Sequence, residues 1–249
     1  MTPDHCAQLL RHADPDRFAS VMTADAGDRP RLATLYAANL EIAQAAVASS
    51  EPLISQMRLQ WWDDQIAMMA EGRAPVGHEI ATPLFAAWGS DIAPLAALIE
   101  ARRRDALREP FADEGEVIAH VSGCTGTLTA MAAGACGLVG QDELIRRQAL
   151  GAGLAGWLGA YPKLRALNMG LMPESPDQLA GLARKGIAAL DEAAALGRKV
   201  SRRAAPALYA GAGSRRILQA AARGEASDIS GFRRNLSHVA LAMFGRWQG

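Results

Sequence analysis

The sequence has few aromatic and few cysteine residues, and both shortages limit what it can be. Aromatic side chains make up 5% of the 249 residues, whereas apolar residues make up 50%. This composition, with alanine prominent, favours helices that pack closely through small side chains. The three cysteines (Cys6, Cys124 and Cys136) are an odd number without CxxC spacing, which argues against a disulfide framework and a zinc site. They fit a reducing compartment.

Net charge is also missing, because 26 basic and 26 acidic residues cancel. That balance removes the simplest argument for nucleic-acid binding, so we predict no nucleic-acid partner. The charge is nevertheless uneven: residues 184–234 hold 11 Lys and Arg against four Asp and Glu, a net +7, whereas residues 1–183 carry −8. Solvated helix faces explain such a stretch, and so does a surface that attracts anionic lipid or a diphosphate.

Long hydrophobic runs are absent as well. Residues 1–17 contain no apolar segment of the kind found in secretory signals, and the most apolar stretch, residues 121–140, consists mainly of small side chains. We expect residues 121–140 to form a buried helix. The expected location is the cytoplasm, either free or peripheral on the inner membrane.

No segment alternates polar and apolar residues over a useful length, so the sequence predicts no strands. Prolines and N-cap residues mark helix starts instead, and we predict an all-α, single-domain protein over residues 1–249. The predicted helices span residues 3–13, 15–24, 31–48, 52–71, 78–88, 92–107, 117–138, 142–160, 176–196, 199–209, 215–222 and 232–247. The helix over 52–71 should be almost fully buried. Tyr161 and Pro162 should kink or interrupt the helix before them.

Two predicted helices are rich in glycine. They are the helices over 117–138 and 142–160, with Gly123, Gly126, Gly134 and Gly137 in the first and Gly151, Gly153, Gly156 and Gly159 in the second. Each interior glycine costs up to about 1 kcal/mol relative to alanine. Such a pattern indicates tight packing or a lined cavity.

Residues that carry chemistry are sparse. The five histidines are dispersed, and no HExxH, GxSxG or Walker sequence is present. Asp63 and Asp64 are adjacent on a strongly apolar helix, but Ala67 and Met68 offer no further carboxylate one turn later. A solvated or arginine-paired role therefore fits these two residues better than metal binding, and we predict no metal site.

Arg58 stands one turn before Trp61 and Trp62, where a charged side chain needs a partner if it is buried. Three acidic side chains are candidate partners: Glu41, Asp64 and Asp105. An anionic ligand is the alternative.

The stretches LYAANLEIA (residues 35–43) and SEPLISQMRLQWWDDQI (residues 50–66) resemble the opening helix pair of the squalene/phytoene synthase family. Weaker likenesses follow in LIEARRRD (residues 98–105), in residues 117–133 and in LAGWLGAYPKLRALNMGLMP (residues 154–173). The resemblance covers about residues 15–175. It implies a prenyl-synthase-like helical bundle with a central cavity.

Active members of that family use two aspartate-rich motifs that hold Mg²⁺ against the substrate diphosphates. The resemblance places these motifs at residues 43–47 and 160–164, and neither segment contains a carboxylate. This loss implies a binding protein rather than a synthase. The sequence SEP…RLQWWDD resembles the corresponding sequence in one branch of the family, which contains the mitochondrial complex I assembly factor and its bacterial relatives.

The sequence leaves three hypotheses open; the third is an α-helical lipid carrier whose cavity is lined by the two glycine-rich helices. The first is a non-catalytic factor that binds an isoprenoid, a lipid or a respiratory-complex subunit or assembly factor, without catalytic residues, metal or cofactor. Its candidate ligand-binding residues are Tyr36, Arg58, Trp61 and Arg103. The alternative is an Mg²⁺-dependent head-to-head prenyltransferase that uses a rearranged acidic set. That set would be Glu41, Asp63, Asp64 and Asp105.

Overall fold

The structure, a computed structural model, describes residues 2–226 and 229–248, and in these ranges it contains twelve α-helices and no extended strand. In chain order they are α1 (Pro3–Ala13), α2 (Pro15–Thr23), α3 (Arg29–Val47), α4 (Pro52–Ala70), α5 (Ala81–Trp88), α6 (Leu95–Leu107), α7 (Glu114–Val121), α8 (Thr127–Ala135), α9 (Asp142–Ala166), α10 (Pro176–Leu196), α11 (Ser214–Ala221) and α12 (Gly231–Phe244). The predicted all-α fold class is confirmed. Contacts group the helices into two compact units, Met1–Arg108 and Glu109–Gly249.

In the first unit, α3 is the central helix and packs against α1, α4, α5 and α6. Its apolar residues recur at helical spacing, and Leu32, Leu35 and Ile42 are fully buried. Prolines at the start of α1, α2, α3 and α4 explain why these starts could be predicted, since proline suits the first helical turn.

Helix α4 corrects one prediction, because it is not almost fully buried. One face carries its six buried residues: Ser55, Leu59, Trp62, Gln65, Ile66 and Met69. On the other side, Leu53 and Met57 are 68% and 64% exposed. An α-helix turns by about 100° per residue, so a run with apolar residues all around still buries only the face that meets other helices.

Helices α5 and α6 both begin three residues later than predicted. The Nδ1 atom of His78 accepts hydrogen bonds from the backbone N–H groups of Ile80 (3.2 Å) and Ala81 (3.4 Å), so His78 lies before α5. A 3₁₀ turn, Gly89–Ile92, precedes α6.

Among the described residues no single helix has the length and apolar composition to cross a membrane. One pair of helices has them when taken together, Ala81–Ile92 and Leu95–Leu107, but the pair is bent by 111° at its junction.

In the second unit, the helix predicted over 117–138 is divided into α7, a π-helical turn at Ser122–Gly126, and α8. The division lies where α9 approaches. A Cβ atom on Gly153 would lie 2.3 Å from Val121 Cγ1 and 3.0 Å from Thr125 Oγ1. The prediction of tight packing is therefore correct at Gly153, and the local widening of the helix accompanies it.

The interruption predicted at Pro162 is not present, because α9 continues through this residue to Ala166, six residues beyond the predicted end; the alternative prediction of a kink stays a prediction. Pro162 lies about one turn from the helix end, and it removes one backbone hydrogen bond, the one its N–H would donate to the Leu158 carbonyl. The helix predicted over 199–209 is wrong as well: short 3₁₀ turns, Gly197–Lys199 and Ala205–Leu208, occupy this segment. Here Pro206 lacks the N–H that an α-helix would need.

Candidate functional site

A pocket of about 460 Å³ lies in the first unit between α3, α4 and the segment before α5. Its lining residues are Glu41, Gln44, Ala45, Ala48, Arg58, Trp61, Trp62 and His78. The volume lies within the range of small-molecule sites, and the lining combines large aromatic surface with a few charged groups. This combination makes the pocket the candidate functional site of the unit.

Three aromatic rings form one wall. The Trp61 and Trp62 ring centroids are 5.2 Å apart in an edge-to-face arrangement, and the His78 centroid lies 5.0 Å from Trp61 and 5.5 Å from Trp62. His78 is held in this position by the two backbone hydrogen bonds to its Nδ1 atom. Aromatic groups in this geometry stabilise each other, so the wall is preorganised.

Two charged groups line the same pocket from different helices, Arg58 on α4 and Glu41 on α3. Within the part of the chain that the structure describes, neither side chain makes an ion pair. An ion pair of Arg58 with any of its predicted acidic partners is therefore not formed. Because Arg58 is exposed, its charge is hydrated and needs no internal partner.

Asp63 and Asp64 belong to a different cluster, in which α4 meets α6. The Arg103 guanidinium lies 3.1 Å from an Asp63 oxygen and donates to the side-chain oxygen of Gln60 at 3.0 Å. Gln60 in turn donates to Asp64 at 2.8 Å, and Arg103 also pairs with Glu100 at 2.8 Å. Asp63 is thus arginine-paired, as the sequence indicated. Arg103 lies in a salt-bridge cluster rather than in the pocket lining.

The remaining predicted site residues lie apart from the pocket lining. Asp105 is 3% exposed and pairs with Arg102 at 2.8 Å. Tyr36 is 5% exposed, and the Arg17 guanidinium lies 5.4 Å above its ring. The structure therefore brings Arg58, Trp61 and Glu41 together and separates them from the other candidates. Sequence analysis missed His78, because no periodicity signals a residue in a loop.

Comparisons with known proteins identify the family and the fold of this chain. The family model for squalene/phytoene synthase matches residues 10–156, more than half of the sequence. The chain belongs to the squalene/phytoene synthase family. A solved structure, described as a dehydrosqualene synthase in complex with ligand, matches with a TM-score of 0.68 at 11% identity, covering 96% of this chain and 94% of that one. No curated protein matches.

The structural match runs through almost the whole chain, so the prenyl-synthase-like all-α fold is confirmed. At 11% identity the likeness concerns the fold alone. The central cavity implied by the family remains a prediction. So does membership in the complex I assembly branch, which neither comparison distinguishes.

The family resemblance assigned an acidic motif to residues 43–47, which form the end of α3. Ala45 and Ala46 are buried there, whereas Gln44 is exposed and lines the pocket together with Ala45 and the following Ala48. Neutral side chains therefore border the pocket at this end of α3, and Glu41, about one turn earlier, is the charged residue on the α3 side. Within residues 2–226 and 229–248, no group of three or more His, Cys, Asp or Glu side chains could hold a metal ion.

The second assigned segment, residues 160–164, lies near the end of α9. Tyr161 is buried, donates to Glu174 at 3.1 Å and accepts a hydrogen bond from the Leu171 N–H at 3.4 Å. Arg165 pairs with the same Glu174 at 3.2 Å. Burial raises the pKa of the Tyr161 phenol, and the Leu171 N–H only partly offsets this. A polar network thus holds Tyr161, the buried residue of this segment, whereas Pro162 and Lys163 are exposed.

The second unit has its own pocket, of about 550 Å³, between the π-helical turn, α8 and the first half of α9. Three of its four charged residues, Glu143, Arg146 and Arg147, are paired with each other, whereas Asp142 makes no ion pair among the described residues. Glu143 accepts from Arg147 at 2.7 Å and also from Arg146, and these hydrogen bonds lower the pKa of the Glu143 carboxyl. Arg147 pairs with Glu192 as well, at 2.8 Å. The pocket therefore offers a ligand less uncompensated charge than the pocket of Arg58.

Proposed function

We propose that this protein is a non-catalytic member of its family that binds an isoprenoid or lipid with an anionic head group in the pocket of the first unit. One observation carries the proposal: Arg58 makes no ion pair among the described residues, and it lines a pocket of about 460 Å³ beside Trp61, Trp62 and His78. A hydrated cation next to aromatic surface suits a ligand with a charged end and an apolar end.

The chemistry of the lining supports this assignment. A guanidinium binds phosphate oxygens through two parallel N–H donors, and the resulting bonds are stronger than those between neutral groups. The indole of Trp61 supplies apolar surface against which a hydrocarbon chain can pack. Glu41 faces the same pocket and disfavours a second anionic group on the α3 side. The head group is therefore expected beside α4.

The alternative, an Mg²⁺-dependent prenyltransferase, requires carboxylates that are free to hold the metal. Asp63 is paired with Arg103 and Asp105 with Arg102, so both would first have to leave these partners. Only Glu41 favours this alternative, because it lies in the pocket without an ion pair among the described residues. The cofactor would then be Mg²⁺.

A role in respiratory complex I biogenesis is the biological setting we propose, from the resemblance of SEP…RLQWWDD to the assembly-factor branch. The partner would be a complex subunit or another assembly factor, in the cytoplasm at the inner membrane. Residues 184–234 would contribute positive charge toward anionic lipid. Three cations there are paired, however: Lys185 with Glu114, Arg215 with Asp191 and Arg223 with Glu225. Asp228 lies outside the described residues.

The decisive experiment is a fluorescence titration with farnesyl thiodiphosphate, a slowly ionising analogue, because Trp61 and Trp62 both line the pocket. We expect Arg58→Ala to weaken binding about tenfold, the effect of one charge-assisted hydrogen bond, and Arg58→Lys to weaken it less. Arg73→Ala is the control, since Arg73 is an exposed arginine paired with Glu71. Equal affinity of wild type and Arg58→Ala would contradict the proposed site.

The alternative function is tested in parallel with farnesyl and geranylgeranyl diphosphate plus Mg²⁺, read out as pyrophosphate release and as coupled product. We expect no turnover under conditions in which an active synthase works. Turnover that EDTA abolishes, and that Glu41→Gln removes, would replace the binding role by the prenyltransferase.

A further inference from the structure

Helix α12 exposes a continuous apolar stripe. Its four exposed members are Phe232 (78%), Leu236 (59%), Val239 (48%) and Met243 (60%). At about 100° per residue, these four positions fall within an arc of about 60° on one face of the helix. Isolated exposed apolar residues are ordinary, but four in register along one face mark a surface that is normally covered.

The opposite face of α12 is the one that packs on the protein. Leu241, about 180° from Phe232 around the helix, is its buried residue. Next to it, Ser237 hydrogen-bonds to the Tyr209 hydroxyl at 2.7 Å, and the His238 ring lies 6.1 Å from the Tyr209 ring. Arg202 donates to the Ala242 carbonyl at 3.0 Å. These contacts fix the helix so that the apolar stripe points away from its own unit.

The charge of this segment identifies what covers the stripe. From Ile229 to Gln248 the sequence contains three arginines (Arg233, Arg234 and Arg246) and no Asp or Glu, and Asp228 directly precedes this segment. Arg233 and Arg246 are exposed, and the Arg246 guanidinium lies 5.8 Å from the Phe244 ring, which is itself 66% exposed. An apolar stripe on a helix whose own charged residues are all cations complements an anionic lipid surface, where the rings enter the boundary and the guanidinium groups meet the head groups.

The length of α12 determines its orientation. Its 14 residues span about 21 Å, less than the roughly 30 Å of a bilayer core, and one face is already packed on the protein. We infer that α12 docks the protein onto anionic membranes by lying in the plane of the interface, with Phe232, Leu236, Val239 and Met243 inserted. This inference differs from attraction by the basic stretch 184–234, because it adds a hydrophobic contribution. It does not depend on the ligand pocket.

The test is co-sedimentation of the full chain with vesicles of phosphatidylcholine alone or mixed with phosphatidylglycerol, at low and high salt. We expect the wild type to bind the anionic vesicles. The triple variant Phe232→Gln, Leu236→Gln, Met243→Gln should partition at least about tenfold less, because it removes most of the inserted area. The matched control changes three exposed apolar residues elsewhere: Val139→Gln, Met172→Gln, Leu196→Gln. This control should bind like the wild type.

A second variant, Arg233→Gln with Arg246→Gln, isolates the charge. Its partitioning onto anionic vesicles should fall about tenfold at low salt. At high salt the decrease should be much smaller, because screening already weakens the attraction. Since the altered residues are exposed, thermal denaturation should show each variant folded. Three results would overturn the inference: no vesicle binding by the wild type, equal binding by the apolar triple variant, or a dimer that the triple variant abolishes in the absence of vesicle binding. The last would assign the stripe to a second copy.

Discussion

The two segments assigned to the acidic motifs differ in their surroundings. At the end of α3, residues 43–47 border a pocket whose charged groups, Glu41 and Arg58, make no ion pair among the described residues. Near the end of α9, residues 160–164 carry the buried Tyr161, which bonds to Glu174. Neither segment contains a carboxylate, yet the first borders a pocket, whereas in the second the buried side chain, Tyr161, is held by a polar network. Replacing acidic residues therefore does not by itself decide whether a site keeps room for a ligand.

The largest effect we expect concerns the close packing of α9. A Cβ atom on Gly151 would lie 2.5 Å from Leu190 Cγ and 3.0 Å from the Gly186 carbonyl oxygen, so Gly151→Ala should lower the free energy of unfolding by about 1–3 kcal/mol. Gly156, five residues later, has nothing within 4 Å of its Cβ position. Gly156→Ala should therefore raise stability by up to about 1 kcal/mol.

Urea denaturation of both variants measures this contrast. Both changes lie on one helix and add the same methyl group. Changes of opposite sign in the free energy of unfolding would therefore report the difference in packing around the two glycines. If Gly151→Ala were neutral, the packing of α9 against α10 at this position would be looser than the distances indicate.

A smaller effect is expected at the wall of the open pocket. Gln65 is 4% exposed, and its side-chain oxygen accepts a hydrogen bond from the Val76 N–H at 2.8 Å, two residues before His78. Gln65→Leu should lower stability by about 1 kcal/mol, since the exposed Val76 N–H can bond to water instead. It should also weaken binding of the thiodiphosphate analogue several-fold, because His78 loses its anchored segment.

Gln56→Leu is the matched control for this change. Gln56 lies on the same helix, and its side chain makes no hydrogen bond among the described residues. It should leave stability and binding within the error of wild type. Equal loss of affinity in both variants would mean that α4 as a whole, rather than the anchored loop, shapes the pocket.

The helix predictions succeeded where the chain carries local signals. Pro52 and Pro176 mark the starts of α4 and α10 because proline fits the first turn and nothing in the tertiary structure opposes it. A different rule, that an interior proline interrupts a helix, failed at Pro162, where α9 continues. Next to this proline, the Tyr161 hydroxyl hydrogen-bonds to Glu174, which lies beyond the end of the helix. Rules that use only neighbouring residues in the sequence do not include such contacts.

The site was only partly predictable for a related reason. Helical spacing indicated that Arg58 and Trp61 lie about one turn apart on α4, and the structure has both in one pocket. Spacing does not tell which face of a neighbouring helix they meet. Glu41 lines that pocket, whereas Tyr36 on the same helix is buried elsewhere. Arg103 was proposed for the ligand but pairs with Asp63. These outcomes depend on how α3, α4 and α6 pack.

The smallest effect we expect tests whether the polar network at Tyr161 keeps this part of α9 shielded from water. Tyr161→Phe removes the hydrogen bond to Glu174 and the acceptor of the Leu171 N–H, so it should lower the free energy of unfolding by about 0.5–1 kcal/mol at neutral pH. The affinity for the thiodiphosphate analogue should stay unchanged, because Tyr161 does not line the pocket of Arg58.

Alkaline denaturation distinguishes a buried phenol from a hydrated one. Burial raises the pKa of Tyr161 in the folded state above its ordinary value of about 10, so folding favours the protonated phenol. That contribution is fully present below the ordinary pKa and is lost as the pH rises through the folded-state pKa. The stability of the wild type should therefore fall more steeply over this range than that of Tyr161→Phe. Parallel curves would mean that water reaches the phenol, and the α9 segment would then be as open as the end of α3.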